Sequence, residues 1–110
     1  MTLDDLTLGD AKKLAGLFGA PADHAAAWEI GKIYLIRTVT MIDTGRLVLV
    51  TPQELVLEEA AWIADTGRFA QAVKAAEFDE VEPFPDGKVI IGRGSIIDAV
   101  QIVATTRSQK

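Results

Sequence analysis

The chain has 110 residues, the size of a single domain. Hydrophobic residues make up 49% and charged residues 25%, so the chain can form a core and is not disordered. With 11 basic against 16 acidic residues the net charge is −5, which argues against a broad, sequence-independent grip on nucleic-acid phosphates. Cysteine is absent, which excludes disulfides, thiolate zinc sites and a cysteine nucleophile, and a single histidine excludes most multi-histidine metal sites.

The sequence carries no sign of a membrane anchor or of catalysis. No apolar run is long enough to cross a bilayer, and the N-terminus lacks the basic and apolar stretches of a secretory signal. We therefore expect a soluble, cytosolic protein. No nucleophile–base pair, metal constellation or cofactor fingerprint stands out, so we expect no enzyme, no cofactor and no metal site.

The N-terminal region is predicted to hold one helix. Thr7 followed by Asp10 is typical of a helix N-cap, and apolar residues recur at helical spacing over 11–18. Gly19 ends this pattern. The Ala-rich segment 22–28 is predicted as a linker, with an extension of the helix as the alternative.

From residue 31 the pattern changes to the alternation and β-branching of strands. A first strand is predicted over 31–40, a turn at 43–45 (DTG) and a second strand over 46–50. The proline of segment 51–53 predicts another turn, since proline cannot donate to a central ladder. A third strand over 54–63 completes an antiparallel meander.

The second half of the chain is predicted to carry an insert and then two more strands. The DTG sequence at 65–67 is typical of a helix cap, and the segment 79–85 is acidic and interrupted by proline. The predicted segments are a short helix within 64–76, an irregular loop or edge strand at 79–85, a strand at 88–91, a glycine-rich corner at 92–94 and a strand at 95–103.

Two stretches in this order resemble the Sm-like family, the small bent-sheet barrels that include Sm, Lsm and Hfq proteins. The first is GRLVLV at 45–50 followed by LVLEEA at 55–60, and the second is KVIIGRGSII at 88–97. The resemblance implies a mainly β fold, in which an N-terminal α-helix precedes a five-stranded, strongly bent antiparallel barrel with a short helical insert between strands 3 and 4. The implied layout is a helix and linker at 1–30, a barrel at 31–103 with a helical and acidic insert at 64–87, and a flexible tail at 104–110.

The chain also resembles small tailed-phage proteins that have no settled activity. The segments that carry this likeness are LTLGDA at 6–11, AAWIADTGRF at 60–69 and EVEPFP at 80–85. It implies a phage or prophage source, and therefore the cytoplasm of a bacterial host or the virion as the location.

The Sm-like resemblance also implies a place for single-stranded RNA. In that family the turn between the second and third strands and the Arg-Gly corner contact the nucleic acid, and the N-terminal helix can face it. Glu54 stands where the family has an asparagine, and its carboxylate would repel phosphates. The residues so assigned here are Gln53, Glu54, Arg93, Gly94, Lys12 and Lys13.

The last two predicted strands are apolar on both faces, which indicates that both faces are covered. They end the meander, where an open edge invites pairing with another chain. Head-to-tail pairing between copies closes into a ring where the rotation permits, and Sm-like proteins assemble in this way. The predicted interface residues are Val89, Ile90, Ile91, Ile96, Ile97 and Val100.

Two functions follow from these observations. The first is a non-enzymatic ring-forming protein with a structural or protein-interaction role, whose partners are copies of itself and other phage or host proteins. The alternative is an Sm-like module that binds single-stranded RNA through the Arg-Gly corner. No membrane partner is expected.

Three further features receive structural interpretations. His24 is predicted to be a surface or linker residue. The acidic residues within 77–86 lack the spacing of a calcium loop and predict a solvated rim. Trp62 and Phe69 are predicted to anchor the insert on the barrel, with a ligand platform as the alternative.

Overall fold

The computed structural model describes residues 27–110, so the predicted N-terminal helix, Lys12, Lys13 and His24 lie outside the described residues. Within them the protein is mainly β, with six strands in one antiparallel sheet and one α-helix. The elements are β1 (Ile33–Thr38), β2 (Ile42–Val50), β3 (Glu54–Asp65), α1 (Phe69–Ala75), β4 (Glu80–Pro83), β5 (Val89–Gly92), a short 3₁₀ helix (Arg93–Ser95) and β6 (Ile96–Gln101).

The long strand β3 organises the sheet. Its first half, from Glu54 to Leu57, pairs with β5, and its second half, from Ala61 to Asp65, pairs with β4. The strand order from there is β4-β3-β2-β1-β6. Across residues 27–110 the sheet does not close into a barrel, and it has six strands, which corrects the expected five-stranded barrel. The additional strand is β4, one of the two alternatives for the acidic segment.

The predicted turn at 43–45 is wrong. These three residues are buried inside β2, and the chain reverses earlier, at Val39 and Thr40. The reversal is fixed by Thr38, whose N–H and hydroxyl both donate to the carbonyl of Met41, at 2.8 and 2.9 Å. Pairing with both neighbouring strands overrides the local turn preference of an Asp-Thr-Gly sequence.

A β-bulge bends β3 where it crosses Gly45 of β2. Thr44 pairs with Ala61 but Arg46 pairs with Glu58, so two residues of β3 oppose the single Gly45. The bulged residue Glu59 has a φ of 51°. A Cβ on Gly45 would lie 2.9 Å from the carbonyl oxygen of Glu58 and 3.1 Å from the Cα of Ala60. Only glycine therefore allows the two backbones to approach this closely.

Two apolar clusters pack on opposite faces of the bent sheet. The first is covered in part by Trp28, whose ring lies edge-on to Tyr34 with centroids 5.1 Å apart. The second lies beneath α1, which contributes the buried Ala72. The buried members are Tyr34, Ile36, Leu47, Val50, Leu55, Leu57, Ala60 and Ile91 in the first cluster, and Leu35, Ala61, Ile63, Ala72, Phe78, Val81 and Ile102 in the second.

The helix of the insert forms as predicted, but its cap differs. The N-cap residue is Arg68, without a side-chain cap, whereas Asp65 accepts a hydrogen bond from the Gly67 N–H at 2.8 Å in the preceding turn.

In the part of the chain that the structure describes, no helix is long and apolar enough to cross a membrane.

The C-terminal residues 104–110, expected to form a flexible tail, run back along the sheet. Arg107 donates to the carbonyls of Ala60 and Phe84. Lys110 and Val81 exchange both backbone hydrogen bonds at 3.0 Å, which extends the sheet beyond β4. Backbone pairing of this kind orders a polar segment that has no apolar pattern of its own.

We expect Gly45→Ala to lower the free energy of unfolding by about 1–3 kcal/mol, because the added methyl group meets backbone atoms that cannot move aside. Gly94→Ala is the matched control, since a Cβ there meets nothing within 4 Å. Urea denaturation of both variants measures the difference. Equal stabilities would contradict the close approach of β2 and β3.

Candidate interaction edges and the Asp43 hollow

Two strand edges of the described sheet, those of β5 and β6, have no partner strand. β5 pairs only with β3, and β6 pairs only with β1. Exposed apolar side chains lie beside these edges: Ile90 is 57% exposed on β5, and Ile97 is 65% exposed on β6. Val100 of β6 is 36% exposed. An uncovered edge with exposed isoleucines is a template for pairing with another chain.

The other predicted interface residues lie mainly on the inner side of the same strands. Ile91 is buried in the first apolar cluster, and Val89 and Ile96 pack partly against it. The predicted two-sided apolar strands therefore divide their side chains between the protomer's own core and the solvent. Ile90, Ile97 and Val100 are the members that face outwards.

The edge of β4 is covered by the chain itself. Its Val81 exchanges two backbone hydrogen bonds with Lys110 of the C-terminal segment. Gln109 also donates to the carboxylate of Glu82 at 3.2 Å. The same sheet thus has a covered edge at β4 and uncovered edges at β5 and β6, among the described residues.

Four of the six residues assigned to an RNA site lie where the turn before β3 meets the 3₁₀ corner, and the other two, Lys12 and Lys13, lie outside the described residues. The Arg93 N–H donates to the carbonyl of Gln53 at 2.9 Å, and its guanidinium donates to the carbonyl of Thr51 at 2.7 Å. Glu54 pairs with Gly92, next to this corner. The side chain of Arg93 is thereby used to tie the two loops together. Gly94 is exposed at the same corner.

The sequence did not point to a second feature, a hollow around Asp43. Asp43 of β2 pairs with Trp62 of β3, which places the two side chains on one face of the sheet. Together with Met41 and Phe84 they line a space of about 290 Å³. Asp43 was assigned to a turn, and a buried acid within a strand gives no local sequence signal.

Asp43 is 8% exposed as a residue, and burial raises the pKa of its carboxyl group from about 4 to about 6. No ion pair involves this carboxyl group within residues 27–110, and no fully buried side-chain oxygen there lacks a hydrogen-bond partner, so the carboxyl oxygens keep some contact with solvent through the hollow. A carboxylate without a partner at the floor of an apolar hollow is unusual, because burying an unpaired charge is costly.

The remaining charged contacts are ion pairs at the surface. Arg37 of β1 donates to Asp98 of β6, with Nε 2.7 Å from Oδ1, and these hydrogen bonds lower the pKa of Asp98. Arg46 donates to Glu59 at 3.1 Å and lowers the pKa of that carboxyl. The guanidinium of Arg37 also lies 4.8 Å from the ring centre of Phe69.

Phe69 and Trp62, the two aromatic residues predicted to anchor the insert, have different surroundings in the structure. Phe69 of α1 attaches the insert to β1 through Arg37. Trp62 instead faces the Asp43 hollow, on the side of the sheet opposite its neighbours Ala61 and Ile63.

The residues that the structure describes hold no group of three or more potential metal ligands.

We expect Asp43→Asn to be more stable than the wild type by about 2 kcal/mol at neutral pH and little changed below about pH 4. The folded state holds the Asp43 proton more tightly than the unfolded state, so wild-type stability falls as the pH rises through the pKa of about 6. The amide carries no charge and escapes this loss. Denaturant midpoints across this pH range test the difference.

Glu58→Gln is the control for this experiment, because Glu58 is an exposed carboxylate on β3. Its pH profile should follow that of the wild type. If Asp43→Asn also runs parallel to the wild type at every pH, the burial of Asp43 is contradicted.

Comparison with known proteins assigns no family to this arrangement. The chain matches no protein-family model, no curated protein and no solved structure.

Proposed function

We propose that this protein is a non-enzymatic, ring-forming protein of Sm-like type and of phage or prophage origin, with a structural or protein-interaction role. The observation that carries the proposal is the contrast between its strand edges. The β4 edge is covered by the chain's own C-terminal segment, whereas within residues 27–110 the β5 and β6 edges have no partner strand and lie beside Ile90 and Ile97.

The two uncovered edges suit head-to-tail assembly. β5 pairs with β3 and β6 pairs with β1, so the two edges lie at different places on one protomer. Pairing β5 of one copy with β6 of the next leaves a free β5 and a free β6 on the pair, and addition of further copies continues until a ring closes. Each contact would satisfy backbone groups and remove the exposed isoleucines from water.

The acidic balance supports a protein partner over a nucleic acid. The net charge is −5, and Glu54 and Arg93 meet at the corner, where the arginine already binds a backbone carbonyl. Assembly with itself, or with another virion or host component, needs no basic surface. This is the structural or interaction role that we assign.

We expect native mass spectrometry of gently purified protein to show a closed oligomer without bound RNA. Ile97→Glu should shift the population to monomers and small species, since it places a charge on each copy at the β6 edge. Leu49→Glu is the matched control, because Leu49 is also half-exposed and its strand β2 is paired on both sides.

A monomeric wild type would overturn the proposed assembly. An oligomer that survives Ile97→Glu as well as Leu49→Glu would show that the copies meet elsewhere. Circular dichroism of both variants separates loss of assembly from loss of the fold.

RNA binding is the second candidate, and one observation favours it. The turn at 51–54 and the corner at 93–95 are joined by two hydrogen bonds from Arg93, so Gln53, Arg93 and Gly94, three of the residues that the resemblance assigns to RNA, lie close together. A base or a phosphate placed there would meet Gln53, Arg93 and Gly94 together. Glu54 beside them opposes a phosphate.

We expect no binding of a labelled oligouridylate by the wild type at physiological salt in fluorescence anisotropy. Submicromolar binding that persists at this salt concentration would favour the RNA module over the interaction role. In that case Arg93→Ala should weaken binding and reduce its salt dependence. Arg68→Ala, which removes an exposed arginine at the start of α1, is the matched control.

A further inference from the structure

The hollow beside β2 combines one acid with apolar and aromatic walls. Asp43 lies at its floor, and the other lining residues are Met41, Trp62 and Phe84. The space is about 290 Å³, near the lower end of the range of about 300–1,000 Å³ found for small-molecule pockets. It therefore suits a group of the size of a long side chain.

The walls of the hollow are held in place by the sheet. The pairing of Asp43 with Trp62 sets the acid and the indole opposite each other on adjacent strands. Phe84 follows β4, and its N–H donates to the carbonyl of Ala60 at 3.0 Å. Its own carbonyl accepts hydrogen bonds from Gly87 and Arg107. A ligand thus meets a preformed pair of rings and a carboxylate.

Asp43 is more than nine-tenths buried as a residue, and no ion pair of residues 27–110 involves its carboxyl group. The ionised form of such a group keeps little contact with water and has no charged partner among the described residues. A cation in the hollow would supply that partner. The faces of Trp62 and Phe84 attract cations as well, and the Met41 thioether adapts to an apolar stem.

From this combination we infer that the hollow is a binding site for an organic cation, an alkylammonium or guanidinium group carried on an apolar stem. The carboxylate of Asp43 receives the charged head, and Trp62 and Phe84 flank it. The site is distinct from the β5 edge, none of whose residues line it, whereas Met41 also lines a neighbouring hollow together with Ile97 of β6.

Other ligand classes fit the hollow less well. A divalent metal needs several oxygen ligands, and Asp43 is the one acidic lining residue. A neutral apolar ligand would seal the carboxyl group away from water without a partner. A phosphate or another anion would be repelled by it.

Among the charged groups around the hollow, Asp43 is the one whose ionisation is expected to control cation binding. Across β3, Glu82 of β4 pairs with Trp62 on the same face, and it accepts a hydrogen bond from Gln109. On β1, the residue that pairs with Asp43 is the apolar Ile36, and the neighbouring Arg37 is bound to Asp98. On β2 itself, Arg46 is bound to Glu59. Glu82 thus adds negative potential, and Arg107, which lies behind Phe84, donates its guanidinium to the carbonyls of Ala60 and Phe84.

The test uses the full chain with Trp28→Phe, which leaves Trp62 as the single tryptophan of the two in the sequence. n-Butylammonium and n-butylguanidinium are titrated while the fluorescence of Trp62 is recorded. We expect a saturable change for at least one of them and none for n-butanol, which has the same stem without the charge. Affinity should rise about tenfold from pH 5 to pH 7, as Asp43 ionises with its pKa of about 6.

Asp43→Asn in the same background should lose at least about tenfold in affinity at pH 7, whereas Glu58→Gln should bind as the parent does. Because Asp43→Asn removes a buried charge, it is expected to fold, and circular dichroism checks this. No saturable response to either cation, an equal response to n-butanol, or full binding by Asp43→Asn would each overturn the inference. Ile90→Glu, which changes the β5 edge and not the lining of the hollow, should bind the cation equally well, which separates this site from the assembly.

Discussion

The close approach of β2 and β3 at Gly45 is the constraint on which the rest of the sheet depends. Because no side chain intervenes there, β3 can bulge at Glu59 and present its two halves to different partners. The first half pairs with β5 and the second with β4. Alanines at 60 and 61 follow the bulge and serve opposite apolar clusters. A single position without a Cβ thus turns a flat meander into a two-sided, bent sheet.

The division of β3 also decides which edges remain available. The C-terminal segment reaches β4 and pairs with Val81, while Arg107 binds carbonyls near the bulge. β5 and β6 receive no such cover from residues 27–110. Because the β4 edge is covered while the β5 and β6 edges are uncovered and lie beside exposed isoleucines, a second copy can pair at only those two edges of the described sheet. This selectivity is the physical basis for proposing ordered assembly over indiscriminate aggregation.

Much of this fold could be predicted where periodicity is strong. β1, β3 and β5 and the helix within 64–76 follow patterns of alternation or helical spacing, and all are confirmed as elements. The prediction failed at 43–45, where local turn preference competes with two strand ladders, and ladder formation is decided by residues far along the chain. The C-terminal segment has no apolar period, so its backbone pairing could not be predicted. The N-terminal residues Lys12 and Lys13 remain a prediction.

The wrong prediction of a turn at 43–45 also explains why the Asp43 hollow could not be found from the sequence. An Asp-Thr-Gly sequence is typical of an exposed turn, yet the structure buries all three residues. The Thr44 hydroxyl donates to the Tyr34 carbonyl at 2.9 Å, whereas Asp43 has no ion-pair partner in the described chain. The threonine satisfies its polar group, and the glycine permits the close approach of β3. The aspartate differs from both, because burial raises its pKa and its charge therefore opposes folding at neutral pH. An asparagine would fill the same space without that cost. A side chain that the fold tolerates but does not need is best explained by a ligand whose charge requires it.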